Sequence, residues 1–179
     1  MQQVLVVMSL AAFFTLLHSF LSPSFQSPST MAAVVNGVTG LIAGAFVIHT
    51  ILVLLGAKVF DDFTDTAFCA FSLSAVSAAP LAAMCQHDWN SFSVFRSLSD
   101  IIILGDAKSE MERGCVAAAV GALTGAWLGS MFLPLDWGVA WIQWPLPPIY
   151  FGCAGHALGI VSFSFQRWVT KKVRKYHTR

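Results

Sequence analysis

The stretch Gly121–Pro148 reads GALTGAWLGSMFLPLDWGVAWIQWPLPP and decides the fold class of the chain. Its one charged side chain is Asp136, which separates two long apolar segments. Three glycines recur at intervals of four residues: Gly121, Gly125 and Gly129. Four of the chain's six tryptophans lie here: Trp127, Trp137, Trp141 and Trp144. The pattern predicts a tightly packed membrane helix, an aromatic turn at the membrane surface and the start of another membrane helix.

The composition of the chain excludes a soluble globular fold. Of its 179 residues, 56% are hydrophobic and only 11% are charged, and the mean hydropathy is +0.71. Soluble domains carry about 25% charged residues. A fold this short cannot hide so much apolar surface, so the surplus must face lipid. The four cysteines lie far apart in or beside apolar segments, which favours small buried side chains over metal ligands.

Five transmembrane helices are predicted from apolar segments long enough to cross a bilayer. They cover residues 4–21, 31–57, 66–86, 114–135 and 148–168. The first is interpreted as an uncleaved helix rather than a signal peptide, because it lacks a cationic start and a small-x-small cleavage site. Pro80 is expected to kink the third helix. The predicted fold class is an all-α integral membrane protein, a single domain over residues 1–179 with about five spans and short loops.

Two polar stretches complete this predicted architecture. Residues 87–113 mix charged and apolar side chains, a pattern typical of an amphipathic helix at the membrane surface. Residues 169–179 form a basic tail. If the tail is cytosolic, nine of the ten basic residues lie on the cytosolic side and only Lys58 lies opposite. Because basic loops favour the cytosol, the C-terminus and the amphipathic connection are predicted to be cytosolic, and residues 136–143 to face the lumen or the outside.

The glycines, tryptophans and acidic residue of the opening stretch each allow two interpretations. Without Cβ atoms, the three glycines let another backbone approach closely, either within this chain or from another membrane subunit. The indole rings favour the headgroup level, as a plain aromatic belt or as a contact surface. Asp136 either caps its own turn by accepting backbone N–H bonds or contacts a lipid headgroup or a partner.

Two histidines, His49 and His156, are the candidate ionisable side chains in the interior of the predicted spans. An ionisable group within a membrane is a functional hypothesis by default. No Asp or Glu lies inside a span to pair with either histidine, so each is interpreted as a neutral hydrogen-bonding group between helices. The chain contains no Walker motif, G-x-S-x-G or H-E-x-x-H, and its acidic residues are scattered over loops. No catalytic residue, metal ion, cofactor or nucleic-acid partner is therefore predicted.

Several short motifs resemble, in the same order, those of the phosphatidylinositol-glycan biosynthesis class F (PIG-F) family. Residues 125–129 read GAWLG, residues 134–137 read PLDW, and residues 141–145 have a tryptophan pair and a proline before a glycine-bearing last helix. The segment His49–Ala57, HTILVLLGA, resembles the end of a middle helix in that family. The matches cover roughly residues 38–168. Some members of the family have six spans, which leaves open whether one was lost here or the N-terminus is incomplete.

The resemblance implies a non-catalytic subunit of the endoplasmic reticulum membrane. Members of this family associate with and stabilise the large multi-span ethanolamine-phosphate transferases of glycosylphosphatidylinositol (GPI) anchor synthesis, which move phosphoethanolamine onto mannoses of the GPI glycan. Contacts with such a partner or with membrane lipids are expected at Gly121, Gly125, Trp127, Gly129, Asp136, Trp137, Trp141, Trp144 and His49. Two alternatives stay open: a small intramembrane lipid-modifying enzyme that uses His49, His156 or Asp136, and a small transporter.

Overall fold

The structure is a computed structural model that describes residues 30–57, 60–84, 110–135 and 138–177. Within these ranges all regular secondary structure is helical, which confirms the predicted fold class. The α-helices are α1 (Thr30–Leu54), α2 (Phe63–Val76), α3 (Ala78–Met84), α4 (Glu110–Ser130) and α5 (Leu146–His177). Two short 3-10 helices, Leu133–Leu135 and Ala140–Ile142, lie between α4 and α5. The predicted span over residues 4–21 and residues 87–109 of the predicted amphipathic connection lie outside the described residues.

Four stretches of the described residues are long and apolar enough to cross a membrane. They are Ala33–Leu54, Phe63–Met84, Glu110–Leu135 and Leu146–Val173. The shortest have 22 residues, and at about 1.5 Å per residue they reach about 33 Å, which matches a hydrocarbon core about 30 Å thick. These stretches correspond to the second, third, fourth and fifth predicted spans.

Both α4 and α5 begin earlier than the sequence predicts. α4 begins at Glu110 rather than at residue 114, and its first turn contains Glu110 and Glu112. Carboxylates in that turn are stabilised by the positive end of the helix dipole, so the polar residues extend the helix. α5 begins at Leu146 and holds Pro147 and Pro148 in its first turn, where their missing N–H groups have no helical partner to lose.

The basic end of the chain is helical rather than a separate tail. α5 was expected to end near Trp168, but it continues to His177. Lys and Arg are good helix formers, and their charges suit the negative end of a helix dipole. The basic side chains of Lys171 and Lys172 therefore project from the same rigid rod that crosses the membrane.

The third span is interrupted at Ser77 rather than at Pro80. Ser77 separates α2 from α3 with φ −120° and ψ −70°. A proline ring clashes with the carbonyl four residues before it, which here belongs to Val76, the last residue of α2. The hydroxyl of Ser77 donates a hydrogen bond to the Leu73 carbonyl oxygen (2.6 Å), while its backbone N–H donates to the Ser74 carbonyl oxygen (3.3 Å). The serine hydroxyl thus replaces the helical bond that the interruption removes.

The described helices form two packed groups that share one core. α4 packs along α5, α1 packs on α2 and α3, and α2 connects the two groups through contacts with α5. The core contains small and medium apolar side chains from α2, α4 and α5: Cys69, Leu73, Val76, Ala122, Ala126, Ile149 and Cys153. Small side chains suit a membrane protein, because van der Waals packing rather than hydrophobicity drives helix association in lipid.

α1 lies close to the second and third helices through its glycines. A Cβ atom on Gly40 would overlap the side chain of Ala82, and one on Gly44 would crowd the hydroxyl of Ser74. The buried Ser74 hydroxyl also donates a hydrogen bond to the Leu41 carbonyl oxygen, at 2.8 Å. The α1 face is therefore fixed by close approach of the helices and by hydrogen bonding of the Ser74 hydroxyl to α1 carbonyl oxygens.

We expect Ser74→Ala to destabilise this contact only slightly. Hydrogen bonds between membrane helices contribute about 0.6 kcal/mol on average, and the alanine methyl group fits the space of the serine side chain. A melting curve of the purified chain in detergent should show a small decrease in Tm. Thr50→Ala is the matched control, because its hydroxyl bonds to the Phe46 carbonyl oxygen within α1 (2.8 Å). A large loss of folded protein for Ser74→Ala alone would contradict the small expected contribution.

Candidate functional site

The glycine ladder of α4 lies against the backbone of α5. Its three members are Gly121, Gly125 and Gly129. A Cβ atom on Gly125 would overlap the carbonyl oxygen of Phe151, and one on Gly121 would overlap that of Gly155. A Cβ atom on Gly129 would lie 2.5 Å from the carbonyl oxygen of Pro147. The two helices therefore meet backbone to backbone along the ladder.

The glycines of α5 take part in the same contact. A Cβ atom on Gly155 would overlap the Gly121 carbonyl oxygen, and one on Gly159 would overlap the carbonyl oxygen of Ala117. Of the two interpretations of the ladder, close packing within the chain is the arrangement that the structure has. The ladder glycines therefore form a contact within the chain, and their predicted contact with another subunit stays a prediction.

The predicted tryptophans separate into exposed and half-buried side chains. Trp127 on α4 is 61% exposed and Trp141 is 42% exposed. The Trp141 ring lies 6.1 Å from that of Phe132 between centroids. Trp144 is half-buried and packs against the core. Asp136 and Trp137 lie outside the described residues, so their predicted roles stay predictions.

The structure places His49 apart from the glycine ladder. Its ring makes an edge-on contact with Phe63 at the start of α2, with 5.3 Å between centroids, and its Nδ1 atom is buried without a hydrogen-bond partner. His156 on α5 is fully buried. Among the residues that the structure describes, no group of three His, Cys, Asp or Glu could hold a metal ion.

An open groove of about 1350 Å³ runs between α4 and α5. One end is lined by the charged side chains Glu110, Arg113, Arg167 and Lys171. The rest is lined mainly by small and apolar residues, among them Gly121 and Gly125 of the ladder. The sequence interpretation missed this groove, because it placed Arg113 in a surface connection and Arg167 at the end of the last span. Their only sequence signal is that each lies at the end of an apolar span.

Comparison with known families places these features in a defined group of proteins. The model of the GPI biosynthesis protein family Pig-F matches residues 1–163. The chain belongs to the Pig-F family. This confirms the resemblance carried by the GAWLG and PLDW motifs. No solved structure gives a significant match to the chain.

Several Pig-F relatives are similar to most of this chain. A PIGF/3-ketodihydrosphingosine reductase fusion protein of Schizosaccharomyces pombe is 28% identical over 76% of this chain and 26% of its own length. Glycosylphosphatidylinositol anchor biosynthesis protein 11 of Pyricularia oryzae is 32% identical over 63% of this chain and 39% of its own length. The mouse GPI ethanolamine phosphate transferase, stabilizing subunit, is 28% identical over 67% of this chain and 52% of its own length. The matched region thus spans about half or less of the length of these three relatives.

The Pig-F motifs now have positions in the fold. The GAWLG motif, residues 125–129, combines two glycines buried against α5 with the outward-facing Trp127. The HTILVLLGA segment ends α1, and its histidine contacts α2. One motif therefore contains both a packing element and an exposed aromatic side chain.

Proposed function

We propose that this chain is a non-catalytic subunit that binds and stabilises a GPI ethanolamine phosphate transferase in the endoplasmic reticulum membrane. It thereby supports the transfer of phosphoethanolamine to mannose of the GPI anchor by the catalytic subunit, a large multi-span protein. The observation that carries the proposal is the name of the mouse and human relatives, which describes a stabilizing subunit of that transferase. The apolar helices of the described residues support a location within the membrane.

The orientation belongs to the same proposal. Nine of ten basic residues lie on one predicted side, which supports a cytosolic C-terminus and a lumenal turn between α4 and α5. Protease digestion of a C-terminal tag in sealed microsomes tests it, because a cytosolic tag is removed without detergent. The turn would then lie on the side where the transferase of the GPI pathway is expected to act.

The proposed contact surface is the α4 stripe, formed by Leu123 and Trp127 of α4 and by Met131, the residue that follows its end. These side chains are spaced by four residues and are 49%, 61% and 51% exposed. Trp127 makes no hydrogen bond with any described residue. It lies on α4, three residues before the end of that helix at Ser130, and within the apolar span Glu110–Leu135.

An indole N–H within an apolar span favours a protein partner over bare lipid tails. Lipid tails offer no hydrogen-bond acceptor, and an unsatisfied polar group in the hydrocarbon region is unfavourable. A helix of the transferase can supply an acceptor and an apolar face to pack against the ring. Trp is also the residue type most enriched at the points of contact that dominate binding energy. The α4 stripe therefore fits a transmembrane helix of the catalytic subunit.

Affinity purification of the tagged full-length chain from mild detergent tests the proposed function. We expect recovery of a large multi-span protein that carries the ethanolamine-phosphate transferase activity, and a lower level of that protein in cells depleted of this chain. The purified chain alone should not turn over phosphatidylethanolamine and a GPI acceptor. A stable chain that recovers no transferase, or that transfers phosphoethanolamine by itself, would contradict the proposal.

A further inference from the structure

The groove between α4 and α5 is charged at only one end. Arg113 on α4 and Arg167 and Lys171 on α5 line that end together with one carboxylate, Glu110. The Nε atom of Arg167 lies 3.8 Å from the Oε2 atom of Glu110. The lining side chains at this end therefore carry an excess of two positive charges. Such an excess at the end of a membrane helix pair attracts anionic headgroups.

Beyond the charged end, the groove is an apolar trough. Its floor is low because the glycine backbones of α4 and α5 touch, and its sides are formed by Val116, Val120, Leu128, Phe151 and Leu158. The lining residues of α4 from Val116 to Leu128 cover about 18 Å at about 1.5 Å per residue. One leaflet of the hydrocarbon core is about 15 Å deep, half of about 30 Å. The trough thus has the depth of one leaflet.

We propose that this groove binds one anionic glycerophospholipid. Its phosphate lies among Arg113, Arg167 and Lys171, and an acyl chain lies along the trough. The distribution of charge decides between this occupant and a partner helix, because a lipid has its charge at one end and is apolar for the depth of one leaflet. The groove volume of about 1350 Å³ also exceeds the roughly 300–1,000 Å³ of sites for smaller ligands.

This inference goes beyond the proposed function, and its test does not need the transferase. The purified full-length chain in mild detergent is incubated with equal amounts of phosphatidylserine and phosphatidylcholine, and bound lipid is counted by native mass spectrometry. We expect phosphatidylserine to be retained at least about five-fold better, since each cation near the headgroup level contributes to such binding. The double variant Arg167→Gln/Lys171→Gln should lose that preference.

Lys172→Gln is the matched control for charge. It removes one positive charge next to Lys171, but the Lys172 Nζ atom lies over the Trp168 ring, 5.0 Å from its centroid, and outside the groove lining. We expect it to keep the preference for phosphatidylserine. A second variant, Ala154→Phe, fills the trough from an exposed position and should lower retention of both lipids.

Three results would overturn the inference. Equal retention of the two lipids would mean that the cations do not select a headgroup. A loss for Lys172→Gln as large as that for Arg167→Gln/Lys171→Gln would assign the effect to the general basic character of the helix end. A protein helix recovered in place of lipid, and lost in Ala154→Phe, would identify the groove as a protein-binding site.

Discussion

Gly125→Ala is expected to prevent the stable pairing of α4 and α5 and to reduce the amount of folded chain severely. The added Cβ atom would overlap the carbonyl oxygen of Phe151 and lie 2.9 Å from its carbonyl carbon. Both are backbone atoms, so no side-chain rotation relieves the clash, and the helices must separate along the ladder. Overpacking in a rigid core costs about 1–3 kcal/mol and occasionally more. The measurement is the monodisperse fraction and the Tm of the chain in detergent.

Gly37→Ala is the control for this prediction. It makes the same chemical change in α1, but its Cβ atom would lie 3.4 Å from the Ala83 Cβ atom, an ordinary contact. Alanine is also the better helix former by about 1 kcal/mol. We expect Gly37→Ala to fold as the parent chain does. Gly155→Ala should reduce the amount of folded chain as severely as Gly125→Ala does. If Gly125→Ala and Gly37→Ala melted alike, the ladder would not be a backbone contact.

The spans of this fold are predictable from sequence, but their mutual contacts are not. Long apolar segments limited by charges locate the helices, because the bilayer sets their length. The spacing of Gly121, Gly125 and Gly129 also predicts a close backbone approach. It does not identify the partner helix, because lipid and protein are equally apolar and no hydrophobic face indicates which side is buried. Only the three-dimensional packing places Phe151 and Gly155 opposite the ladder.

Two further features of the structure could not be predicted from local sequence patterns. Pro80 predicts an interruption of the third span, and the steric conflict with the carbonyl of Val76 moves it to Ser77. The charged end of the groove depends on residues from α4 and α5, such as Arg113 and Arg167, that are far apart in the sequence. Their proximity follows from the antiparallel course of two helices in contact, which no local pattern encodes. Sequence motifs therefore could not predict the candidate lipid site.

Trp127→Ala is expected to weaken recovery of the transferase without affecting the chain itself. The side chain is 61% exposed on α4 and does not belong to the core, so its removal should leave the Tm of the purified chain nearly unchanged. Truncation of a central interface tryptophan costs about 2 kcal/mol or more, roughly thirty-fold in affinity. The transferase recovered with the tagged chain should fall accordingly, and its cellular level should fall with it.

Two further variants separate this contact from a general effect of lost aromatic surface. Phe46→Ala removes an aromatic side chain of similar exposure, 74%, from α1 rather than α4, and we expect normal recovery of the transferase. Trp127→Phe keeps an apolar ring but removes the indole N–H, so an intermediate loss would assign part of the contact to a hydrogen bond within the membrane. Equal losses for Phe46→Ala and Trp127→Ala would mean that the α4 stripe is not the docking surface. Full recovery with Trp127→Ala would place the docking surface on another face of the chain.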